Sequence, residues 1–370
     1  MKIGIYSDAH FSLNSSVLVG RDVNSTYSKR LSSLIASFDW MYRIFVENGV
    51  ELIVSCGDLT DSDSLSAEES SALSEALSRN TSKIPEIHVL GNHELKDSEK
   101  NFTAINILSG YPHITVIKDY LVKSADNLDL VFVPYTSDNE QLNEIQNNLC
   151  LIDRDSIVFS HLVYLSDELL QKNGFLGIQG VDKDVICSNS KVRYIFNGHI
   201  HNPVKCGNYV QVGSLIGNGF GDNYEECLPR IIILDTDLCA YRSFENPYSV
   251  LFYKLNCRSL SEFSKKFQKR KQRCCLQVTS PIGLREALSQ FLTANKESLN
   301  LLEFRIRSEA VSAESIIEDE SELNYLNEKI DKLTDNKSVK ELISLFIQQS
   351  ESLPCSEVEM LNFVGAYFKD

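Results

Sequence analysis

Five short polar segments constrain this chain more than anything else in it. They are Asp8-Ala9-His10, Gly57-Asp58-Leu59-Thr60-Asp61, Gly91-Asn92-His93-Glu94, Ser160-His161 and Gly198-His199-Ile200-His201. Each follows a short apolar run that reads as a buried strand, and each therefore sits where α/β folds present side chains from a rigid base. Of the chain's 7 histidines, only His88 and His113 lie outside these segments. The chain must fold so that five distant segments converge.

The surrounding pattern supports such a fold. Strand-like runs fall at 2–7, 51–55, 86–90, 129–134, 156–160, 193–197, 209–212 and 230–235. Between the first two, Leu31, Leu34, Ile35, Phe38, Met41, Tyr42 and Phe45 recur at helical spacing, which predicts an amphipathic helix over 30–48. A second helix is predicted over 66–78. Short buried strands alternating with helices point to layered α/β sheets. After about residue 246 a separate unit follows: strands at 248–257, 273–279 and 300–307, and a helix over 281–296. Ser338-x-x-Glu341 and Ser356-x-x-Glu359 are capping-box patterns ahead of two further helices.

The residue types in the five segments suit divalent cations. Imidazole nitrogen with carboxylate oxygen suits manganese, iron or zinc. Asp-x-His lets two side chains from one turn grip one ion. A carboxylate such as Asp58 has two oxygens and can bridge a pair of ions, which in two-metal sites lie about 3.5–4 Å apart. Asn92 adds a neutral carbonyl oxygen. Gly57, Gly91 and Gly198 allow sharp turns beside the ions. Arg21, Asp22 and Arg30 are expected on a solvated loop, and His88 within its strand.

In order and spacing, these segments resemble the signature of the calcineurin-like metallophosphoesterases over residues 1–245. The resemblance implies a four-layer α/β/β/α sandwich there, a small α/β capping domain at 246–310, and a linker with C-terminal helices at 311–370. It implies one metal held by Asp8, His10, Asp58 and His201, and a second by Asp58, Asn92, His161 and His199. His93 would stand over the scissile phosphate, hydrogen-bonded by Asp61, with both acting in catalysis. Glu94 would support the ligands rather than bind metal.

The substrate is less constrained. A catalytic domain, a small α/β unit and terminal helices together resemble the SbcD-type DNA repair nucleases, and within them the small subunits of tailed-phage recombination endonucleases. Gly213-Ser214 and Pro229-Arg230 are placed as in that group, although Phe11-Ser12 stands where its members usually carry Leu-Gly. The resemblance implies a manganese-dependent 3′→5′ exonuclease and single-strand endonuclease. It would act as a homodimer with an SMC-like ATPase of the SbcC type, docked on the C-terminal helices. The rival readings are a phosphoesterase for nucleotides or other small phosphodiesters, and a scaffold without activity.

Charge enters here. The net charge of -15 argues against a broad basic nucleic-acid surface. One basic island, Lys265, Lys266, Lys269, Arg270, Lys271 and Arg273, is a candidate DNA-phosphate contact or a solvated turn. The 10 cysteines are scattered without a C-x-x-C pair, as expected of reduced, packed thiols. No run approaches the roughly 18 apolar residues of a membrane span. A cytoplasmic location is expected, the host's cytoplasm if the chain is viral.

Overall fold

Side-chain alternation along the strands sets the layers. In a computed structural model of the protein, β1 (Lys2–Tyr6) turns Ile3 and Ile5 into one core and Tyr6 into another. β6 (Leu128–Val133) divides the same way, Leu130 and Phe132 against Val131 and Val133. Successive residues of a strand face opposite ways, so strands apolar at every position need cover on both faces. That cover comes from a second sheet on one side and helices on the other. The structure describes residues 1–308 except 14–17, 19, 22–24, 97–99, 101, 126, 166–179 and 222–227.

The first sheet has the order β14-β13-β1-β2-β3-β4. Here β2 is Leu52–Ser55, β3 Glu86–Val89, β4 Ile114–Ile117, β13 Arg230–Asp235 and β14 Ala240–Glu245. β1 to β4 are parallel, while β13 and β14 run antiparallel at one side. The second sheet has the order β11-β12-β10-β7-β6-β5. Its strands are β5 (Leu121–Ala125), β7 (Ser156–Ser160), β10 (Val192–Asn197), β11 (Val204–Cys206) and β12 (Tyr209–Gln211), with β6. β6, β7, β10 and β12 are parallel, and β5 and β11 close the edges antiparallel. A short pair, β8 (Tyr164–Leu165) and β9 (Val181–Asp182), stands apart.

The two sheets meet through Ile3, Ile5, Val54, Phe132, Phe159 and Phe196. Burying each such side chain contributes about 1.5–3 kcal/mol. Helix α1 (Lys29–Glu47) starts at Ser28, whose hydroxyl accepts from the Leu31 amide at 3.2 Å, and lays Leu34, Phe38, Met41 and Phe45 on the first sheet. Helix α2 (Ala67–Ser78) opens with a capping box between Ser66 and Glu69 and joins the same core. On the second sheet, α3 (Asn139–Cys150) and α4 (Lys183–Cys187) supply Leu142, Ile145, Leu149 and Ile186. The layers are α/β/β/α, as expected.

Sequence reading missed β5, β8, β9, β11, β14, α3, α4 and the helix Leu260–Lys266. β5 and β14 are edge strands with mostly exposed side chains. They lack the apolar run that marks a central strand. α3 buries only three side chains, Leu142, Ile145 and Leu149.

A third sheet, β15 (Leu251–Asn256), β16 (Cys274–Ser280) and β17 (Leu301–Ser308), accompanies α5 (Leu260–Lys266) and α6 (Arg285–Ala294). The chain divides into two compact units. The first holds Met1–Lys254, Lys269–Gln277 and Lys296–Phe304. Within it, Glu303 pairs with Lys29 at 2.7 Å and Lys296 at 3.2 Å. The second holds Leu255–Gln268, Val278–Asn295 and the described residues from Arg305. Its core includes Phe263 packed edge-on against Phe291. The predicted C-terminal helices lie outside the described residues. No helix among the described residues is long and apolar enough to cross a membrane.

Candidate metal centre

The loops after β1 and β2 run side by side as a zipper. The amides of Asp8, His10 and Phe11 donate to the carbonyls of Gly57, Asp58 and Leu59 at 3.0, 3.0 and 2.8 Å. This places the Asp8, His10 and Asp58 side chains together. The backbone is unusual there: Asp8, His10 and Asp58 have φ of 51°, 47° and 51°, and His199 has 73°. Left-handed residues other than glycine cost about 1–3 kcal/mol each and persist only where surroundings hold them. Gly57 (φ 98°) is required twice over. Its conformation suits only glycine, and a Cβ there would overlap the His161 imidazole.

All seven expected donors converge, and they form two sets. In the first, His10 Nε2 lies 3.0 Å from His201 Nε2, and both nitrogens lie 3.9 Å from Asp8 Oδ1. In the second, Asn92 Oδ1 lies 3.1 Å from His161 Nε2 and 2.9 Å from His199 Nδ1. Asp58 Oδ2 stands between the sets, 3.2 Å from His161 Nε2 and 3.8 Å from His10 Nε2. Donors about 2.0–2.2 Å from a cation sit about 3.0–3.4 Å from one another. The second set has about that spacing, as does the His10–His201 pair of the first, while Asp8 Oδ1 stands wider, 3.9 Å from both of those nitrogens.

Hydrogen bonding settles which atoms face inward. His161 Nδ1 contacts the Cys56 carbonyl at 2.6 Å. A carbonyl only accepts, so Nδ1 carries the hydrogen and Nε2 points at Asn92 and Asp58. His10 Nδ1 is held by the Asp61 carboxylate at 3.1 Å, leaving Nε2 inward. Orienting a ligand's outer nitrogen in this way is the usual support for a metal-binding histidine. Asp8 Oδ2 is buried with no hydrogen-bond partner. Bare imidazole nitrogens facing each other and facing carboxylate oxygens repel unless a proton or a cation lies between them. The residues therefore fit a pair of divalent cations.

The ionisation pattern has the same cause. Burial alone lowers the pKa of His161, but the carboxylates of Asp58 and Asp8 outweigh it and raise it to about 9. Burial, reinforced by His161, pushes His199 down to about 4. Burial pushes the Asp58 carboxyl up, and His161, His10 and His93 reverse this and hold it below the usual range. Burial is also the largest influence on Asp8, whose pKa is raised.

The structure places Asp61 differently from expectation. Its carboxylate bonds His10, while His93 Nδ1 sits 3.1 Å from the Asp61 backbone oxygen and 3.6 Å from its carboxylate. The reason is the zipper, which continues as the Asp61 amide donates to Phe11 O at 3.3 Å and leaves the Asp61 side chain beside His10. His93 is the most open residue of the group, its side chain 42% exposed. His10, Asp61 and His93 also form a cluster of their own.

Several residues that hold the centre were not anticipated. Arg30, expected on a solvated loop, is buried in the first turn of α1. It donates to His10 O at 3.1 Å, Gly217 O at 3.3 Å and Asn218 Oδ1 at 3.2 Å. Asn218 in turn donates to Asp8 O at 3.2 Å. Glu94, expected as a support, accepts from Leu59 N at 2.6 Å and Gly91 N at 2.8 Å, tying the Asp58 loop to the Asn92 loop. Beside the second set, the Tyr135 ring lies 6.0 Å from that of His199. His88, expected within its strand, is buried there and bonds Glu86 at 3.0 Å. Arg21 lies in the loop before α1, bridged to Ser28, and Asp22 is outside the described residues.

The family model for calcineurin-like phosphoesterases matches residues 1–203, a span that contains every residue of both donor sets. The chain belongs to this family. Solved structures similar to this phosphoesterase include a dimetal phosphatase from Danio rerio, at 14% identity and TM-score 0.37, covering 58% of this chain and 87% of that one. Another is TT1561 of Thermus thermophilus, at 11% and 0.40, covering 66% and 98%. A third is the NAD nucleotidase of Haemophilus influenzae, at 13% and 0.31, covering 67% and 45%. No curated protein matches this phosphoesterase.

The basic island lies away from these loops in sequence. Lys265 and Lys266 end α5, where Lys266 pairs with Glu262 at 2.7 Å. Lys269, Lys271 and Arg273 are exposed. Arg270 stacks on the Tyr253 ring at 4.2 Å.

Proposed function

We propose that the chain is a two-metal phosphodiesterase acting on nucleotides or other small phosphodiesters. The observation that carries this reading is Asp58 Oδ2 between two donor sets, with the half-open imidazole of His93 4.0 Å away. Asp8, His10, His201 and Asp58 would hold one cation. Asp58, Asn92, His161 and His199 would hold the other. The chemistry that two divalent cations supply at such a site is charge neutralisation of phosphoryl oxygens and a lowered pKa of water; manganese suits the donor types.

The chain's own residues do the rest. Because His93 Nδ1 must donate to the Asp61 carbonyl, Nε2 is the atom that faces the centre. Protonated there, it hands its hydrogen to the leaving oxygen of the ester. Asp61 holds the His10 ring, and Glu94 keeps the Asp58 and Asn92 loops in register. The net charge of -15 favours a substrate with few phosphates over a polyanion.

A second reading has one observation in its favour, the exposed run of Lys265, Lys269, Lys271 and Arg273. In it the chain is a DNA repair nuclease with 3′→5′ exonuclease and single-strand endonuclease activity. It works as a homodimer with an SMC-like ATPase of the SbcC type, and residues 246–310 cover the DNA. One assay set separates the two. Manganese-dependent hydrolysis of bis-p-nitrophenyl phosphate and nucleotides, with end-labelled duplex DNA left intact, supports the first reading. Efficient DNA digestion that is lost in His93→Asn replaces it with the second. No hydrolysis of any of these by the manganese-loaded chain contradicts both.

A further inference from the structure

Directly beneath the second donor set, three parallel strands end on polar residues. Ser160, Asn197 and Gln211 close β7, β10 and β12 and are paired in register, Asn197 with Ser160 on one side and Gln211 on the other. All three are buried. Polar side chains at such positions are retained only where every donor and acceptor is used.

Here they are used on the two histidine loops. Asn197 Oδ1 accepts from Ser160 Oγ at 2.8 Å and from Leu162 N at 3.0 Å, and Asn197 Nδ2 donates to Leu162 O at 2.9 Å. Those partners flank His161 on both sides. Asn197 Nδ2 also donates to Gly198 O at 2.8 Å. Gln211 Nε2 donates to Gly198 O and, at 3.0 Å, to Ile200 O. Those carbonyls flank His199, whose left-handed backbone needs external support. Gln211 Oε1 is itself fixed by the Tyr209 hydroxyl at 2.5 Å.

We infer that Asn197 and Gln211 are positioning residues for the cation held by His161, His199, Asn92 and Asp58. The other donor set has its own clamp, the Arg30–Asn218 pair on the carbonyls of Asp8 and His10. Asn197, whose side chain reaches on the donor loops only the residues flanking His161 and His199, and Arg30 therefore act on different cations, while Gln211 also borders the first set through the Ile200 carbonyl, which precedes His201. This rests on the two-cation reading above.

The test is manganese titration of the full chain, followed by calorimetry and by the electron paramagnetic resonance of free manganese. Wild type should bind two ions. Asn197→Ala should weaken one ion by tenfold to a hundredfold, the range for lost supporting partners, and leave the other within about threefold, and Gln211→Ala should weaken that same ion more than the other. If either alanine variant fails to fold, Asn197→Asp and Gln211→Glu carry the test. They keep the shape but replace the donating amide with an oxygen facing the same carbonyls. Equal weakening of both ions, or no change in a folded variant, overturns the inference. A wild type that binds no second ion overturns the two-cation reading instead.

Discussion

Replacing Arg30 with methionine should loosen one half of the metal centre while leaving the fold in place. The guanidinium is buried and gives hydrogen bonds to His10 O, Gly217 O and Asn218 Oδ1 at 3.1–3.3 Å. Methionine fills similar space but donates nothing. Each buried acceptor left without a donor costs about 1–3 kcal/mol, while removing a desolvated charge returns part of that. A net loss of about 2–4 kcal/mol is expected, or about 4–16 °C in Tm at roughly 2–4 °C per kcal/mol for a domain of this size. The left-handed His10 loses its bond from Arg30, and Asn218, which holds Asp8 O, loses its anchor, so the cation of the first set should weaken about tenfold to a hundredfold. Arg30→Lys, which can reach one of the three acceptors, should fall between. The assay is urea unfolding of the metal-free protein with manganese titration of the same samples. A folded Arg30→Met variant with wild-type stability and both affinities unchanged would refute the clamp.

Further outcomes follow from the same geometry. His93→Asn should lower turnover of bis-p-nitrophenyl phosphate by about 10²–10⁴-fold with two manganese ions still bound; loss of an ion in the titration would remove His93 from the acid role. Metal-free His161, raised to about 9, carries a proton at pH 7, so cation uptake should release about one proton per chain and weaken as pH falls below about 9. Calorimetry in buffers of different ionisation enthalpy measures that proton, and identical heats would contradict it. The same shift means His161 stabilises the metal-free fold fully below its unfolded pKa of about 6.5. That contribution is lost as pH rises through about 9, which pH-resolved unfolding would show as falling stability.

The donors were readable in the sequence because each stands just after a strand whose apolar run announces it. Asp8-Ala9-His10 and Gly198-His199-Ile200-His201 carry both spacing and residue type in four residues or fewer. Layered sheets with helices were readable for the same reason, since the central strands are apolar on both faces, while the four-layer order came from the family resemblance. What supports the donors was not. Arg30 looks like any charge at a helix start until Gly217 and Asn218, almost 190 positions later, supply its acceptors. Asn197 and Gln211 read as polar strand ends, and only the parallel pairing of β7, β10 and β12 shows what they hold. Asp61 was given to His93 by the family resemblance, which names a position without fixing a side-chain direction. The backbone zipper with Phe11 turns its carboxylate to His10 instead. β5 and β14 escaped because an exposed edge needs no apolar pattern.

Crystals grown in manganese and measured at its absorption edge give the most direct test of the centre. Two anomalous peaks per chain are expected, one among Asp8, His10 and His201, the other among Asn92, His161 and His199, with Asp58 Oδ2 reaching both. A single peak, or strong peaks away from these side chains, would contradict a shared two-cation site.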